Sequence, residues 1–177
     1  MKEKTKILLV DDYDIGRYST KKTLESAGYE VIEADSGKKA IELAKSEKPD
    51  LIILDVNLPD INGFEVLKHI KGNKDTKDIS VIHLSATCKD KESKIFGIDE
   101  GADSYLVQPI EKEELLSTIK AILRMKRAEL EEKALRKEKE LIFSSINEGI
   151  VFLDKDGHIK DCNPAFLSIV GKNKEDV

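Results

Sequence analysis

The sequence has only two cysteines, Cys88 and Cys162, and they form no CxxC pair. This argues against metal ligation by sulfur and favours a reducing, cytoplasmic compartment. No apolar run approaches the roughly 18 residues of a membrane span, and the charged N-terminus lacks the apolar region of a signal peptide. The formal net charge of −5 argues against a nucleic-acid backbone as the main partner.

Short apolar runs alternate with amphipathic stretches up to about residue 124. The runs predict five strands: Lys6–Val10, Tyr29–Ala34, Leu51–Leu54, Ser80–Leu84 and Ser104–Val107. Alternation of this kind is typical of an α/β protein with a parallel sheet covered by helices on both faces. The handedness of crossover connections leaves few topologies, and we favour the doubly wound, flavodoxin-like strand order 2-1-3-4-5.

The helices of this α/β region are bounded by glycine, proline and capping residues. Asp14 and Ser36 are candidate caps, and Gly28, Pro49 and Gly101 are candidate stops. The predicted helices are Asp14–Ala27, 36–47, Phe64–Lys71, Lys91–Glu100 and a last one from Glu111 onward.

The last helix is predicted to continue to about Ser144, because no Gly or Pro interrupts residues 111–144. Its leucine spacing predicts a parallel coiled coil in a homodimer, although most of residues 125–140 are charged and the apolar seam is thin. The alternative is a solvated single helix. The seam consists of Leu116, Leu123 and Leu130 at intervals of seven, with Ala134 and Leu141 on the complementary positions.

The residues after this helix read as the start of a second domain. Asp-Gly at 156–157 predicts a hairpin between Gly149–Leu153 and His158–Asp161, and Asn163-Pro164 predicts a helix start. The predicted organisation is therefore one domain over residues 1–124, a helical linker over 125–144 and a partial α+β domain over 145–177.

Three carboxylates follow neighbouring strands of the predicted sheet. Asp11 and Asp12 follow the first strand, and Asp55 follows the third. Because the carboxyl ends of parallel strands meet at one edge, these side chains should converge. Clustered carboxylates need a cation, and hard oxygen ligands suit Mg²⁺. A carboxylate beside Mg²⁺ is a plausible nucleophile for phosphoryl transfer. The bland alternative is that each Asp only caps the following helix.

The segments LLVDDYDIGR, LIILDVNLPDINGFEVL, HLSAT and GADSYLVQPI together resemble the response-regulator receiver family over roughly residues 5–124. The resemblance implies a phosphoacceptor at Asp55, a histidine kinase as phosphodonor, and Mg²⁺ as cofactor. It implies that Asp11, Asp12 and Asp55 hold the metal together with the backbone carbonyl of Asn57. Pro59 and Gly63 match the loop that shapes the pocket.

The same resemblance implies a switch. Ser85 would bind a phosphoryl oxygen through its hydroxyl, and Tyr105 would be the aromatic residue that moves with it. Gln108 stands where the family has a lysine, and an amide can donate a hydrogen bond but brings no charge. Lys89 or Lys91 could compensate. The alternative interpretation is a pseudo-receiver, an interaction module with lost or altered phosphorylation.

The segment SSINEGIVFLDKDGHIKDCNPAFLSIVGKNKEDV resembles the opening of a PAS sensory domain, which implies a longer signalling protein such as a sensor kinase. Within this chain the histidines His69, His83 and His158 match no phosphoacceptor motif, and no Gly-rich nucleotide loop is present. We therefore expect a signalling domain and not an enzyme. An enzyme alternative, in which Asp12 is the nucleophile of a dehalogenase-type phosphatase, leaves Asp55 and Ser85 without a role.

Overall fold

A computed structural model of the chain describes residues 4–85 and 101–173. Its main sheet is parallel and has the order β2-β1-β3-β4-β5, as predicted. Each strand has hydrophobic residues on both faces, which is what a sheet covered on both sides requires. The strands are β1 Lys6–Val10, β2 Glu30–Ala34, β3 Leu51–Asp55, β4 Ser80–Ser85 and β5 Ser104–Val107.

Helices cover the two faces of this sheet, so the doubly wound prediction is confirmed. Alternate strand residues point to opposite faces. Leu8 and Ile52 therefore pack with α2 and α3, while Ile7 and Ile53 pack with α1 and α4. The predicted helix Lys91–Glu100 lies outside the described residues. The described helices are α1 Asp14–Ser26, α2 Gly37–Glu47, α3 Gly63–Gly72, α4 Lys112–Ser145 and α5 Pro164–Val170.

The long helix α4 is unbroken from Lys112 to Ser145, which confirms the prediction of a continuous helix. Its first turns are part of the sheet's hydrophobic core, where Leu123 is 8% exposed and Leu116 packs against the same cluster. Both leucines were expected in a dimer seam. Leu123 is instead buried within its own domain, so the expectation is wrong for Leu123, while Leu116 is partly buried against the same core. Leu130, by contrast, is 53% exposed.

The chain divides into two compact units, Met1–Lys126 and Arg127–Val177. In the second unit β6 Val151–Leu153 and β7 Ile159–Cys162 form an antiparallel pair, as the Asp-Gly signal predicts. Gly157 at the turn has φ +87, a conformation that favours glycine. Among the residues that the structure describes, no helix is long and apolar enough to cross a membrane.

Asn163 organises the second unit. Its side chain accepts hydrogen bonds from Phe166 N at 3.0 Å and Ile150 N at 2.8 Å, so it caps α5 and holds the start of β6. Its amide donates to the carbonyl oxygens of Ile146 and Glu148. Asn163 is fully buried, and a buried amide with every group paired fixes the local chain path.

Candidate functional site

The structure brings Asp11, Asp12 and Asp55 together at the carboxyl edge of the sheet. β1 and β3 are hydrogen-bonded neighbours with Val10 opposite Leu54, so the residues after them are adjacent. One oxygen from each carboxylate lies within 4.8 Å of the others. Asp11 is buried, Asp55 is partly buried and Asp12 is exposed. The cluster is therefore open to solvent on the Asp12 side.

Burial and mutual repulsion disfavour ionisation of this cluster. Burial raises the pKa of Asp55, the backbone N–H of Asn57 opposes the rise, and the charges of Asp11 and Asp12 add to it. Burial also raises the pKa of Asp11. Two carboxylates about 5 Å apart repel by roughly 3 kcal/mol at an effective dielectric near 20. A divalent cation would remove this cost, and an all-oxygen donor set fits Mg²⁺.

The backbone around Asp55 is packed against the start of α3. Asn57 N donates to Asp55 Oδ1 at 3.1 Å, and Gly63 N donates to the Val56 carbonyl at 2.9 Å. A Cβ at Gly63 would lie 2.3 Å from the Asp55 carbonyl oxygen. Only glycine permits this approach, which is a physical reason for the glycine at position 63 in the loop that shapes the pocket.

Asp60 ties the loop after Asp55 to α2. Its carboxylate accepts from Gly37 N at 2.8 Å and Lys38 N at 2.9 Å. The hydrogen bond from the backbone N–H of Lys38 is the largest cause of the lowered pKa of Asp60. Ser36 was expected to cap α2, but its side chain makes no cap hydrogen bond. Asp60 binds the free N–H groups instead, a contact between residues far apart in sequence.

Ser85 and Gln108 lie next to each other at the ends of β4 and β5. Gln108 N donates to the Ser85 carbonyl at 2.8 Å, and the Gln108–Pro109 peptide bond is cis. Ser85 is buried and follows Leu84, which lies opposite Asp55 in the sheet. Both therefore lie at the sheet edge that carries Asp55. Lys89 and Lys91 lie outside the described residues.

Tyr105 is buried in an aromatic group that sequence reasoning missed. Its ring centroid lies 6.3 Å from that of His83, which lies 5.0 Å from Phe64. Burial lowers the pKa of His83 to about 4, so its imidazole is neutral at pH 7. The sequence reading treated His83 as ordinary. Its position between apolar residues of a predicted strand, after Ile82 and before Leu84, was the available signal.

Arg17 was also missed. Asp14 was expected to cap α1, but Tyr13 is the residue at that cap and the Asp14 carboxylate binds the Arg17 guanidinium. Arg17 Nη1 donates to the Asp11 carbonyl oxygen at 2.6 Å, and its Nε lies 3.4 Å from Glu33 Oε1. The sequence offered no spacing signal for a contact with β2.

A doubly wound sheet with an acidic cluster at the ends of β1 and β3 defines a receiver-type signalling domain. Comparison with known families agrees: residues 7–120 match the response regulator receiver domain and residues 138–177 match a PAS domain. The chain belongs to the response regulator receiver family, and its C-terminal part matches a PAS domain.

Individual proteins support this assignment. The chain is 38% identical to protein PilH of Pseudomonas aeruginosa over 67% of its length and 97% of that protein. It is 42% identical to the alkaline phosphatase synthesis transcriptional regulatory protein PhoP of Bacillus subtilis, again over 67% of this chain but 48% of that one. The chain thus matches about half the length of PhoP.

Solved structures agree as well. A CheY-like receiver domain protein from Methanospirillum hungatei aligns with TM-score 0.67 and 30% identity, over 72% of this chain and 99% of that one. The receiver domain of a signal transduction histidine kinase from Syntrophus aciditrophicus aligns with TM-score 0.63 and 30% identity, over 68% and 90%.

Proposed function

We propose that this chain is a phosphorelay receiver that accepts a phosphoryl group on Asp55 in a Mg²⁺-dependent reaction. The observation that supports it most directly is the convergence of three carboxylate oxygens within 4.8 Å at the sheet edge. Three ionised carboxylates this close together repel one another unless a cation binds between them. One of the three, Asp55, is a nucleophile of the type that phosphoryl transfer requires. The metal ligands in this proposal are Asp11, Asp12, Asp55 and the carbonyl of Asn57.

The chemistry assigns one task to each residue. The Asp55 oxygen that accepts no hydrogen bond from Asn57 N attacks the phosphorus of the phosphohistidine donor. The bond between phosphorus and the histidine nitrogen breaks, and an acyl phosphate forms on Asp55. Bound Mg²⁺ supplies charge neutralisation for the transferring group. The Ser85 hydroxyl and the Gln108 amide act as hydrogen-bond donors to phosphoryl oxygens. The resemblance to the receiver family gives Tyr105 its place in the proposed switch, and its ring is buried in β5 beside β4.

Treatment with acetyl phosphate and Mg²⁺ tests this proposal. We expect intact mass to rise by one phosphoryl group and to return after hydroxylamine, which cleaves acyl phosphates but not phosphoserine. Labelling should be lost when EDTA removes the metal. A parent protein that no donor labels would favour the pseudo-receiver alternative, for which Gln108 is the supporting observation.

The proposed phosphodonor is a histidine kinase in the cytoplasm. Next to the acidic cluster, α1 and the residue before it present three large apolar side chains to solvent: Tyr13 is 61% exposed, Ile15 69% and Tyr18 62%. Apolar residues grouped at the rim of a site are typical of a protein interface. This surface supports a protein donor that docks beside Asp55.

Ile15→Asp should lower phosphotransfer from the kinase by roughly tenfold or more, because a charge replaces an apolar interface contact. Labelling by acetyl phosphate should stay unchanged, since Ile15 has no part in the chemistry. Rates with both donors, measured side by side, check this. Ile169→Asp is a matched control, because Ile169 is also 69% exposed but lies in the second unit. Equal losses with both donors would contradict kinase docking at this surface.

The proposed output passes along α4 to the PAS-like unit in a parallel homodimer. Residues 127–142 of the helix are all exposed, and a lone polar helix gains little stability from packing. Leu130 and Leu141 are 53% and 69% exposed and share one helix face with Ala134. A paired helix could transmit a rotation or register shift from the receiver. In this proposal the seam starts at Leu130, because Leu123 is buried.

We expect Leu130→Lys and Leu141→Lys each to weaken dimerisation, by about 1–3 kcal/mol if the apolar side chain is fully buried in the seam. Leu135→Lys is the control, because Leu135 is 52% exposed but lies on a different helix face. Sedimentation equilibrium over a range of concentrations measures the dimer constant. A parent that stays monomeric, or a dimer that responds equally to all three substitutions, would remove the coiled-coil proposal.

A further inference from the structure

Arg17 reaches from α1 to the turn that carries two of the three site carboxylates. Its Nη1 lies 2.6 Å from the Asp11 carbonyl oxygen, and its side chain is only 14% exposed. The same guanidinium binds the carboxylates of Asp14 and Glu33. A planar group with several fixed donors suits three acceptors in different directions.

The contact with Asp11 bears on the geometry of the site. The Asp11 carbonyl belongs to the peptide unit that joins Asp11 to Asp12, so a bond to this oxygen fixes the plane between the two side chains. On the other side, Asp11 N donates to the Ala34 carbonyl at 3.1 Å. Tyr13 N donates to Asp11 Oδ1 at 2.8 Å. The backbone of Asp11 is thus held from β2 and from α1.

Glu33 fastens the guanidinium to β2. Its carboxylate forms an ion pair with Arg17 and another with Lys21 of α1. Groups behind the direct metal ligands orient those ligands, and losing one typically weakens metal binding by roughly 10–100-fold. We propose that Arg17 is a positioning residue of the metal site, which holds Asp11 and Asp12 in the arrangement that binds the divalent cation. This inference rests on the proposed metal-dependent function.

Position and charge predict opposite effects for Arg17. As a cation near the site it repels a second cation, so removing its charge alone would tighten Mg²⁺ binding. Removing its fixed hydrogen bond frees the peptide between Asp11 and Asp12 and should weaken binding. Arg17→Lys keeps the charge without the planar fork, and Arg17→Met removes both. The two variants therefore separate geometry from charge.

Mn²⁺ affinity of the whole chain, read by electron paramagnetic resonance, tests the inference. We expect Arg17→Lys to bind Mn²⁺ about tenfold more weakly than the parent. Arg17→Met should also bind Mn²⁺ more weakly, but by a smaller factor, because it loses the repelling charge together with the hydrogen bond. Lys71→Met is the matched control. Lys71 donates to the Ile79 carbonyl at 2.9 Å, pairs with Asp103 at 3.2 Å and is 23% exposed, away from the site. This control should change urea stability without changing Mn²⁺ affinity.

Each outcome decides the matter. Unchanged Mn²⁺ affinity in both variants, or tighter binding by Arg17→Met with parental binding by Arg17→Lys, would overturn the positioning role. A parent that binds no Mn²⁺ would instead overturn the proposed function at its metal site, and the inference with it. If Arg17→Met does not fold, Glu33→Gln replaces it: this variant should weaken Mn²⁺ binding less than Arg17→Lys, and parental affinity would contradict the inference.

Discussion

Asp55→Asn should abolish labelling by acetyl phosphate. An amide oxygen is a far weaker nucleophile than a carboxylate and cannot form the acyl phosphate. The side chain keeps its size and its acceptor for Asn57 N, a hydrogen bond of 3.1 Å in the parent. The loss should therefore come from chemistry and not from unfolding. Among the predicted effects this is the largest, a change from one phosphoryl group to none.

Intact mass after treatment with acetyl phosphate and Mg²⁺ measures this effect. Asp75→Asn serves as the control, because Asp75 lies between α3 and β4 and is exposed. It should label like the parent. Asp12→Asn keeps the nucleophile but loses a proposed metal ligand, so it should label more slowly and need more Mg²⁺. Labelling of Asp55→Asn at the parental rate would show that another residue is the acceptor.

Asp55→Asn should also stabilise the metal-free protein by about 1–3 kcal/mol at pH 7, because it removes one of three mutually repelling carboxylates. The pKa of Asp55 is raised in the fold, chiefly by burial. Its ionised form is therefore less stable in the folded chain than in the unfolded chain. The gain is full above the folded pKa and disappears as pH falls below the ordinary carboxyl value of 3.8.

Urea unfolding in EDTA at several pH values measures this gain. Added Mg²⁺ should stabilise the parent, since a ligand that binds only the folded chain shifts the equilibrium. Asp55→Asn should respond much less, so the difference between the two proteins should shrink or reverse with Mg²⁺. An Asp55→Asn protein that is less stable than the parent in EDTA at pH 7 would show that the cluster is not under electrostatic strain.

In the second unit, the turn and the helix start were predictable, because residues adjacent in sequence determine both. Asp-Gly required a turn, and Gly157 adopts it with φ +87. Asn163 before Pro164 predicted a helix start, and it caps α5 through Phe166 N. The further bonds from Asn163 to Ile146 and Glu148 could not be read in advance. They depend on where the chain returns after the hairpin.

The linker illustrates a limit of periodicity. Leucines at intervals of seven do not specify what they pack against. Leu123 packs on the sheet with Ile119, while Leu130 lies beyond the first unit and is exposed. No residue pattern marks the point along the helix where contact with the sheet ends, and that point separates the core leucines from the candidate dimer leucines.

The sequence alone determined the sheet order and the acidic cluster, because the alternation of apolar runs and the residues at strand ends are local features. Crossover handedness then leaves few arrangements, and Asp11, Asp12 and Asp55 meet in the chosen one. Only the tertiary structure decided which residues hold that cluster in place. Arg17 on the Asp11 carbonyl and Asp60 on α2 are contacts between separate elements. They depend on side-chain reach across packed elements, for which the order of residues carries no periodic signal.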